Sequence, residues 1–262
     1  MRLRRIAVPL NAKTDSIGMI TKAQQKLIRS LEQKKYRQRE GLFVAEGPKV
    51  VGDLMAAGFE PVMTFDDADD VKRLSFLQHP QGVLAVFRIP DANVNTNVNA
   101  QPSTLHTQPS TLTLALDGIQ DPGNLGTIIR IADWFGIDTI FCSPDTADAW
   151  APKVVQATMG SIARVHIIYM DLHVLLDEAE AAGIPTYGTL LDGRNIYEEE
   201  LTPGGIIIMG NEGNGISEPI RQRINRRLLI PDFHQGPTAD SLNVAIATAI
   251  TCSEFRRRQL PH

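Results

Sequence analysis

Several short stretches of this sequence are continuously apolar and rich in Ile and Val, the clearest being Ile206-Ile207-Ile208-Met209. A strand with one face in water alternates apolar and polar residues, whereas a parallel strand buried on both faces does not. Such stretches alternate with helical patterns after residue 112, which is typical of an α/β domain with a parallel sheet. Strands are predicted over 112–116, 139–142, 165–169, 185–190, 205–209 and 228–230. Helices are predicted near 124–136, 151–159, 172–183, 217–223 and 239–258.

A second, smaller α/β pattern precedes this one. Residues 19–90 contain short strand patterns between amphipathic helices, as expected of a compact N-terminal domain. Residues 91–111 carry a single charge, Asp91, among Asn, Thr, Ser, Gln and Pro, and this composition predicts a flexible linker. Residues 112–262 then form the larger domain. Residues 1–18 fit neither domain, and we expect a disordered extension or an upstream start-site artefact.

The composition of the 262-residue chain limits the cellular compartments and the kinds of site that it is expected to have. Its two cysteines cannot form a disulfide framework or a four-cysteine zinc site, which favours the cytoplasm. No apolar run approaches the roughly 18 residues of a membrane span. Pro9 interrupts the basic N-terminus too early for a signal peptide. The six histidines lack the spacing of metal ligands, so no metal site is predicted.

Charge is distributed unevenly along the chain. Residues 1–50 contain 12 Lys and Arg against 4 Asp and Glu, whereas the remaining 212 residues contain 14 against 26. A basic region on an acidic protein indicates contact with a polyanion. The candidate RNA-binding residues are Lys34, Lys35, Arg37 and Arg39. A helix end that is simply solvated explains these charges equally well.

The first of three Gly/Asn-rich turns follows the predicted strand 112–116. It continues through Pro122 and Gly123 to Asn124, a candidate N-cap of the next helix. Arg130 lies six residues further, in an apolar run where a lone charge needs a partner or a ligand phosphate. The simpler alternative is that Asn124 only caps the helix and Arg130 forms a surface ion pair.

The second turn follows the predicted strand 205–209 and contains Gly210, Glu212, Gly213 and Gly215. Three glycines in six residues permit positive φ and close approach of the backbone to a ligand. Their order, G-x-x-G-x-G, differs from the G-x-G-x-x-G of dinucleotide-binding folds, and no acidic ribose partner follows. The pattern therefore argues against an NAD-binding oxidoreductase.

The third turn joins Ile230-Pro231 to Ser241-Leu242-Asn243. A hydroxyl and a carboxamide are predicted here at the opening of an apolar helix, where free backbone N–H groups point outward. All three turns follow predicted parallel strands, and ligands of open α/β sheets bind at the carboxyl ends of the strands. The larger domain is therefore the predicted seat of the chemistry.

In this order and at these separations, the three turns resemble the signature motifs of the SpoU/TrmH family. These proteins are RNA ribose 2′-O-methyltransferases of the SPOUT superfamily. The segment 151–161 also resembles the helix between the first two motifs. Residues 26–58 resemble the small substrate-binding domain of the family.

The resemblance implies a C-terminal α/β domain with a trefoil knot that binds S-adenosylmethionine, in a homodimer. It implies a structured RNA substrate, ribosomal rather than transfer RNA because of the appended N-terminal domain. By similarity, the cofactor-binding residues are Leu190, Gly210, Gly215, Ile230 and Leu242. By similarity, the catalytic residues are Asn124, Arg130, Glu212, Ser241 and Asn243.

The resemblance casts Arg130 as the group that activates the ribose hydroxyl. Because a guanidinium does not lose its proton, we expect Arg130 to orient the adjacent phosphate and to stabilise the developing alkoxide. The segment 232–240 is longer than usual in the family and begins with Asp232 in place of an apolar residue. A non-catalytic RNA-binding protein that retains the fold is the alternative function.

Overall fold

The computed structural model describes residues 20–90, 111–234, 239 and 241–260. The predicted N-terminal extension, nearly all of the predicted linker and most of the segment 235–240 lie outside the described residues. Contacts group the chain into two compact units. The first unit extends to Ile89 and includes Trp150–Pro152, and the second contains the remainder from Pro90 onward. Within the described ranges, no helix combines the length and hydrophobicity needed to cross a membrane.

The first unit is a three-stranded antiparallel sheet flanked by short helices. In chain order its elements are α1 (Lys22–Ser30), α2 (Lys34–Glu40), β1 (Leu42–Glu46), α3 (Pro48–Ala56), β2 (Pro61–Phe65), α4 (Ala68–Leu74) and β3 (Leu84–Arg88). The strand order is β1-β3-β2, and β3 is antiparallel to both neighbours. Ile28 and Leu31 bury the apolar face of α1 in a core with Val44, Val71 and Val86.

The helix α1 begins where its sequence dictates. The Thr21 hydroxyl accepts a hydrogen bond from the Gln24 N–H at 3.2 Å, and the Gln24 side chain accepts one from the Thr21 N–H at 3.0 Å. This reciprocal capping box satisfies two donors that a helix start leaves without intrahelical partners. The next helix, α2, ends at Gly41, whose φ of +64° is the left-handed conformation that glycine adopts without strain.

The second unit is a six-stranded sheet in which every neighbouring pair of strands is parallel. The elements begin with β4 (Leu112–Asp117), α5 (Pro122–Trp134), β5 (Thr139–Cys142), α6 (Pro152–Ala157), a 3-10 turn (Ser161–Ala163), β6 (His166–Tyr169) and α7 (Leu172–Ala181). They continue with β7 (Thr186–Asn195), β8 (Gly205–Gly210), α8 (Glu218–Arg221), β9 (Arg226–Leu229) and α9 (Val244–Arg257). The order β6-β5-β4-β8-β7-β9 places β4 and β8 at the centre.

The six strands predicted for the larger domain are confirmed. The continuous Ile run of β8 is wholly buried, as its lack of alternation predicts. Strand β7 extends to Asn195, five residues beyond the prediction. Its pairing with β9 shifts between Thr189 and Arg194, so that both of these residues are paired with Leu228. The last four residues of β7, Asp192 to Asn195, are polar or Gly and carry no apolar pattern that would predict a strand.

Two helix starts differ from the sequence prediction. Asp121, and not Asn124, is the N-cap of α5, since its carboxylate accepts the Asn124 N–H at 2.8 Å and Pro122 occupies the first helical position. Helix α9 begins at Val244 instead of residue 239, and Asn243 caps it. In both cases a side chain at the true N-cap satisfies the free N–H groups, whereas apolar periodicity alone does not locate a helix start.

An ion-paired cluster holds the end of α9. Glu254, whose side chain is only 5% exposed, accepts hydrogen bonds from Arg257 at 2.8 Å and from Arg258 at 2.7 Å. The Arg258 guanidinium also donates to the Ile196 carbonyl at 2.9 Å. The hydrogen bond from Arg257 lowers the pKa of Glu254, and Arg258 acts in the same direction. The cluster therefore links the C-terminal helix to the segment after β7.

Substitution of Gly193 by Ala is expected to destabilise the larger domain by about 1–3 kcal/mol, the usual range for overpacking. An added Cβ at Gly193 lies 2.5 Å from the backbone carbon of Leu228, which no side-chain movement relieves. Gly213→Ala is the matched control, because its Cβ meets nothing closer than the Asn211 Oδ1 at 3.5 Å. Thermal and urea unfolding of the two variants measure the difference, and equal stabilities would contradict the close packing.

The Glu254 cluster predicts a pH dependence of stability. Because the pKa of Glu254 is lower in the folded state, its stabilisation is complete above the ordinary glutamate pKa of about 4.3 and is lost as pH falls through the folded-state pKa. Glu254→Gln is therefore expected to reduce the free energy of unfolding by about 1.5–3 kcal/mol at pH 7. The difference from wild type should shrink at pH 3, and a pH-independent difference would argue against the ion pairs as its source.

Candidate active site

The parallel sheet brings the three predicted turns to one edge. Strands β4 and β8 are paired in register up to Asp117 opposite Gly210, and β7 is paired with β8 up to Gly188 opposite Ile208. Because β9 is parallel to β7, the loops that follow β4, β8 and β9 all leave the sheet at its carboxyl edge. This is the edge at which open α/β sheets bind ligands.

Two side chains that the sequence analysis missed join the first and second loops. The Asp117 carboxylate accepts a hydrogen bond from the Ser217 N–H at 2.7 Å, and the Asn211 amide donates to the Gly118 carbonyl at 2.7 Å. Both residues lie at or just after the last residue of a buried strand. The sequence does show a polar residue just after the end of each of these two predicted strands. Such a residue can hold a neighbouring loop in position by hydrogen bonds.

The glycines of the second loop allow a tight turn. The Asn211 side-chain oxygen accepts the N–H groups of Gly213 at 2.9 Å and Asn214 at 3.1 Å. Gly215 adopts φ of +70°, and a Cβ on Gly210 would lie 2.1 Å from the backbone nitrogen of Ile216. The chain therefore folds back directly over Gly210, where no residue with a side chain fits.

Three of the five predicted catalytic residues form one hydrogen-bonded cluster. The Asn124 amide nitrogen donates to Glu212 Oε1 at 2.9 Å, and the Asn243 amide nitrogen donates to Asn124 Oδ1 at 2.9 Å. The Gln120 N–H lies 3.5 Å from the other carboxylate oxygen of Glu212. Asn124 lies in the first turn of α5, Glu212 in the loop after β8 and Asn243 at the N-cap of α9, so the cluster joins the segments that follow β4, β8 and β9.

The remaining two predicted catalytic residues stand apart from this cluster. Arg130 is exposed on α5, and its side chain has no hydrogen bond or ion pair with any other residue of the described chain. Its guanidinium therefore lies outside the apolar core, and within the described residues it does not form the surface ion pair of the simpler alternative. Its binding to a ligand phosphate stays a prediction. Ser241 is also exposed and precedes the N-cap of α9 by two residues, so it does not open the helix as predicted.

The predicted cofactor residues lie on the same carboxyl edge. Leu190 and Ile230 are half-buried within or just after the neighbouring strands β7 and β9, while Gly210 ends β8 between β7 and β4. Gly215 and Leu242 are exposed, and 51% of Leu242 is accessible. Partly covered aliphatic side chains beside polar loops fit a ligand with one apolar planar face and several polar atoms.

The basic residues of α2 differ in their accessibility. Lys34, Lys35 and Arg39 are exposed, and the charged groups of Lys35 and Arg39 each lie 4.8 Å from the ring centre of Tyr36. Arg37 is only 2% exposed and donates to the carbonyls of Leu31 and Glu32, both at 2.7 Å. The prediction that Arg37 binds RNA is therefore corrected, because this guanidinium satisfies the carbonyls at the end of α1.

Neither cysteine supplies a nucleophile. Cys142 and Cys252 are buried and unpaired, and burial raises the pKa of both thiols, that of Cys252 to about 12. A thiol with such a pKa remains protonated near neutral pH. Among the described residues, the cluster at the carboxyl edge therefore consists of the amides of Asn124 and Asn243 and the carboxylate of Glu212.

The sequence matches the SpoU rRNA methylase family over residues 111–253, which contain the whole cluster. The chain belongs to the SpoU methylase family. Residues 22–69 also match the MRM3-like substrate-binding domain. Both matches agree with the resemblance carried by the three turns, and the larger one covers more than half of the 262 residues.

Known SpoU-type proteins resemble this chain over most of its length. It is 31% identical to the 23S rRNA (guanosine(2553)-2′-O)-methyltransferase RlmP of Bacillus subtilis, over 82% of this chain and 79% of that protein. A solved structure assigned to the TrmH family of RNA methyltransferases, from Porphyromonas gingivalis, is 40% identical with a TM-score of 0.78 and covers 92% of this chain and 100% of its own. An AdoMet-bound rRNA methyltransferase from Sinorhizobium meliloti is 29% identical with a TM-score of 0.81, covering 94% and 98%.

These similarities confirm the predicted fold class of the SpoU domain. A smaller α/β unit accompanies a larger one with a parallel sheet, and the structural neighbours are methyltransferases of this fold. The trefoil knot is implied by the family and stays a prediction. Threading of the chain is a property that strand order and register do not specify.

Arg37→Ala is expected to destabilise the smaller domain by about 1–3 kcal/mol, because it leaves two partly buried carbonyls without a donor. Arg39→Ala is the matched control on the same helix. Its side chain is 64% exposed, and its contacts with the adjacent Glu40 and with the ring of Tyr36 lie at the surface, so its effect should stay within about 0.5 kcal/mol. Chemical unfolding monitored by circular dichroism distinguishes the two. Equal effects would contradict the structural role of Arg37.

Proposed function

We propose that this protein transfers a methyl group from S-adenosylmethionine to a ribose 2′-hydroxyl of ribosomal RNA. The observation that carries the proposal is the cluster of Asn124, Glu212 and Asn243, which joins the three family motifs at the carboxyl edge of the SpoU-type sheet. Relatives that share most of this chain are named as 23S rRNA guanosine 2′-O-methyltransferases. These names favour ribosomal over transfer RNA as the substrate class.

The cofactor is proposed to bind beside the ends of β7, β8 and β9. Leu190 and Ile230 would cover the apolar face of the adenine, and Leu242 would close over it from the third loop. Backbone groups around Gly210 and Gly215 would hold its polar atoms. Bound there, the cofactor supplies an electrophilic methyl group on a sulfonium, so the protein needs chiefly to position the ribose oxygen in line with it.

Arg130 is proposed to act on the RNA. Its guanidinium is accessible and has no partner among residues 20–90, 111–234 and 241–260, so it is available to a phosphate. A guanidinium binds phosphate through two parallel hydrogen bonds and stays protonated. In this role Arg130 fixes the nucleotide and stabilises the negative charge that develops on O2′ as its proton leaves.

The smaller domain is proposed to bind the RNA backbone. Its match to a substrate-binding domain covers Lys34, Lys35 and Arg39, whose charges are exposed on α2. Each phosphate neutralised by such a residue releases counterions, so binding should weaken as salt increases. In this assignment residues 19–90 bind substrate, 91–111 form a linker and 112–262 carry the chemistry. A homodimer and a cytoplasmic location complete the proposal.

Arg130→Ala is expected to lower the rate of ribose methylation by about 100-fold or more, since it removes a group that stabilises transition-state charge. The affinity for S-adenosylmethionine should change less than about threefold, because Arg130 contacts RNA and not the cofactor. Transfer of tritiated methyl to ribosomal RNA from cells lacking the gene measures the first quantity. Calorimetric titration of the cofactor measures the second.

Arg164→Ala is the matched control for this experiment. Arg164 belongs to the same domain but pairs with Asp133 at 2.7 Å, and its loss should leave both quantities near wild type. Joint loss of cofactor affinity and methylation in Arg130→Ala would contradict the assigned role. Failure of the wild-type protein to bind the cofactor, with or without RNA, would favour the non-catalytic RNA-binding alternative. Mapping 2′-O-methylated riboses with and without the gene would identify the nucleotide.

A further inference from the structure

In the cluster of Asn243, Asn124 and Glu212, the hydrogen bonds between side chains each have their donor on the side of α9 and their acceptor on the side of Glu212, and Asn243 itself accepts from α9. They start at the first turn of α9, where the N–H groups of Ala245 and Ile246 donate to Asn243 Oδ1 at 3.0 and 3.3 Å. Asn243 Nδ2 donates to Asn124 Oδ1, and Asn124 Nδ2 donates to Glu212, both at 2.9 Å. The sequence of donors therefore passes from a helix N-terminus through two amides to a carboxylate.

The orientation of both amides follows from their partners. Backbone N–H groups only donate, so Asn243 must turn its oxygen toward α9 and its NH₂ group toward Asn124. Asn124 must then present its oxygen to Asn243 and its NH₂ group to Glu212. A carboxylate ends the series because, when ionised, it only accepts. Reversing any one amide alone would place two donors or two acceptors face to face.

We propose that Glu212 and Asn243 are positioning residues that act through Asn124, and that the requirement at these sites is the direction of the hydrogen bonds. This inference rests on the proposed function and deepens it. The relay, defined as Asn243, Asn124 and Glu212, holds the loop after β8 and the start of α9 against the start of α5. Arg130 lies on α5, so the relay sets the position of the loops relative to the helix that carries it.

If the direction of the hydrogen bonds matters, substitutions that exchange donors and acceptors at both ends of the relay should reverse that direction without breaking the relay. Asn243→Asp retains the cap of α9, because Asp and Asn cap equally well, but it replaces the NH₂ group that faces Asn124 with an acceptor. Asn124 can then satisfy Asp at position 243 only by turning its own oxygen toward the Glu212 carboxylate. The single substitution therefore forces two acceptors together at one of the two contacts.

Glu212→Gln removes this conflict. A Gln at position 212 can donate to the reversed Asn124 oxygen, while its own oxygen faces the Gln120 N–H that approaches Glu212 in the wild type. The double variant N243D/E212Q therefore satisfies every contact with the direction reversed, and it keeps the net charge of the wild type. Glu212→Gln alone also preserves the relay, since its oxygen can accept from Asn124.

The test compares the methylation rate of wild type, N243D, E212Q and the double variant on the same ribosomal RNA. N243D should reduce kcat by about tenfold or more, the scale of one lost hydrogen bond to a charged group. E212Q should reduce kcat less than N243D does, because its oxygen can still accept from Asn124, and the double variant should recover to within about threefold of E212Q. Independent roles for the two residues predict no recovery. A double variant as impaired as N243D would overturn the relay.

Asn195→Asp supplies the matched control. Asn195 also donates to a glutamate, Glu198, at 2.9 Å while accepting a backbone N–H, that of Tyr197, at 3.1 Å. Any loss of kcat caused by Asn195→Asp should not be restored by adding E212Q. Restoration would show that E212Q suppresses defects non-specifically, which would contradict the proposal. Loss of activity in E212Q and in the double variant alike, with normal folding, would mean that the Glu212 charge acts on the substrate itself, which also overturns it.

A second readout separates this inference from the proposed function. In a double-mutant cycle of thermal stability, positions 212 and 243 should be coupled, so that E212Q restores part of the melting temperature lost in N243D. This measurement does not require methyl transfer. If the wild type methylates no RNA, the proposed function fails while the cycle still decides whether the relay exists. Additive melting-temperature changes would refute the relay even in an active enzyme.

Discussion

Parallel pairing of the six strands in the larger unit is the constraint on which the site depends. Parallel neighbours release their carboxyl ends at one edge, so residues separated by more than a hundred positions meet there. Asn124 and Asn243 are 119 residues apart and are joined by one hydrogen bond. Parallel sheets are covered on both faces, and the buried residues of β4 and the unbroken apolar run of β8 make this favourable.

Polar contacts hold the loops at this edge in addition to the apolar packing of Ile119 and Ile216. Asp117 binds the Ser217 backbone, Asn211 binds the Gly118 carbonyl, and the relay joins the first and second loops to the third. Amide and carboxylate hydrogen bonds fix orientation more narrowly than hydrophobic contacts do. A reaction that needs in-line placement of two reactants benefits from such loops. The exposed Arg130 lies on α5, the helix whose start the relay contacts.

In the smaller unit, one basic residue of the predicted RNA-binding group is buried and has a structural role. Arg37 belongs to a run of four basic positions, yet its guanidinium closes the end of α1 while Lys34, Lys35 and Arg39 stay in water. The pattern of charges along the sequence shows that four cations lie close together. It does not show which of them donates to backbone carbonyls. Burial decides which of them remain available to a phosphate, and only the folded chain specifies burial.

The sequence by itself determined the element order, the parallel sheet of the larger unit and the three loops that contain the site, because apolar periodicity and turn residues are local properties. It also placed Asn124, Glu212 and Asn243 among the candidates. Only the tertiary structure decided that Asp121 caps α5, that α9 starts at Val244, that Arg37 is internal and that three of the five candidates form one relay. Caps, burial and hydrogen-bond direction depend on which atoms come together in space, and spacing along the chain does not contain that information.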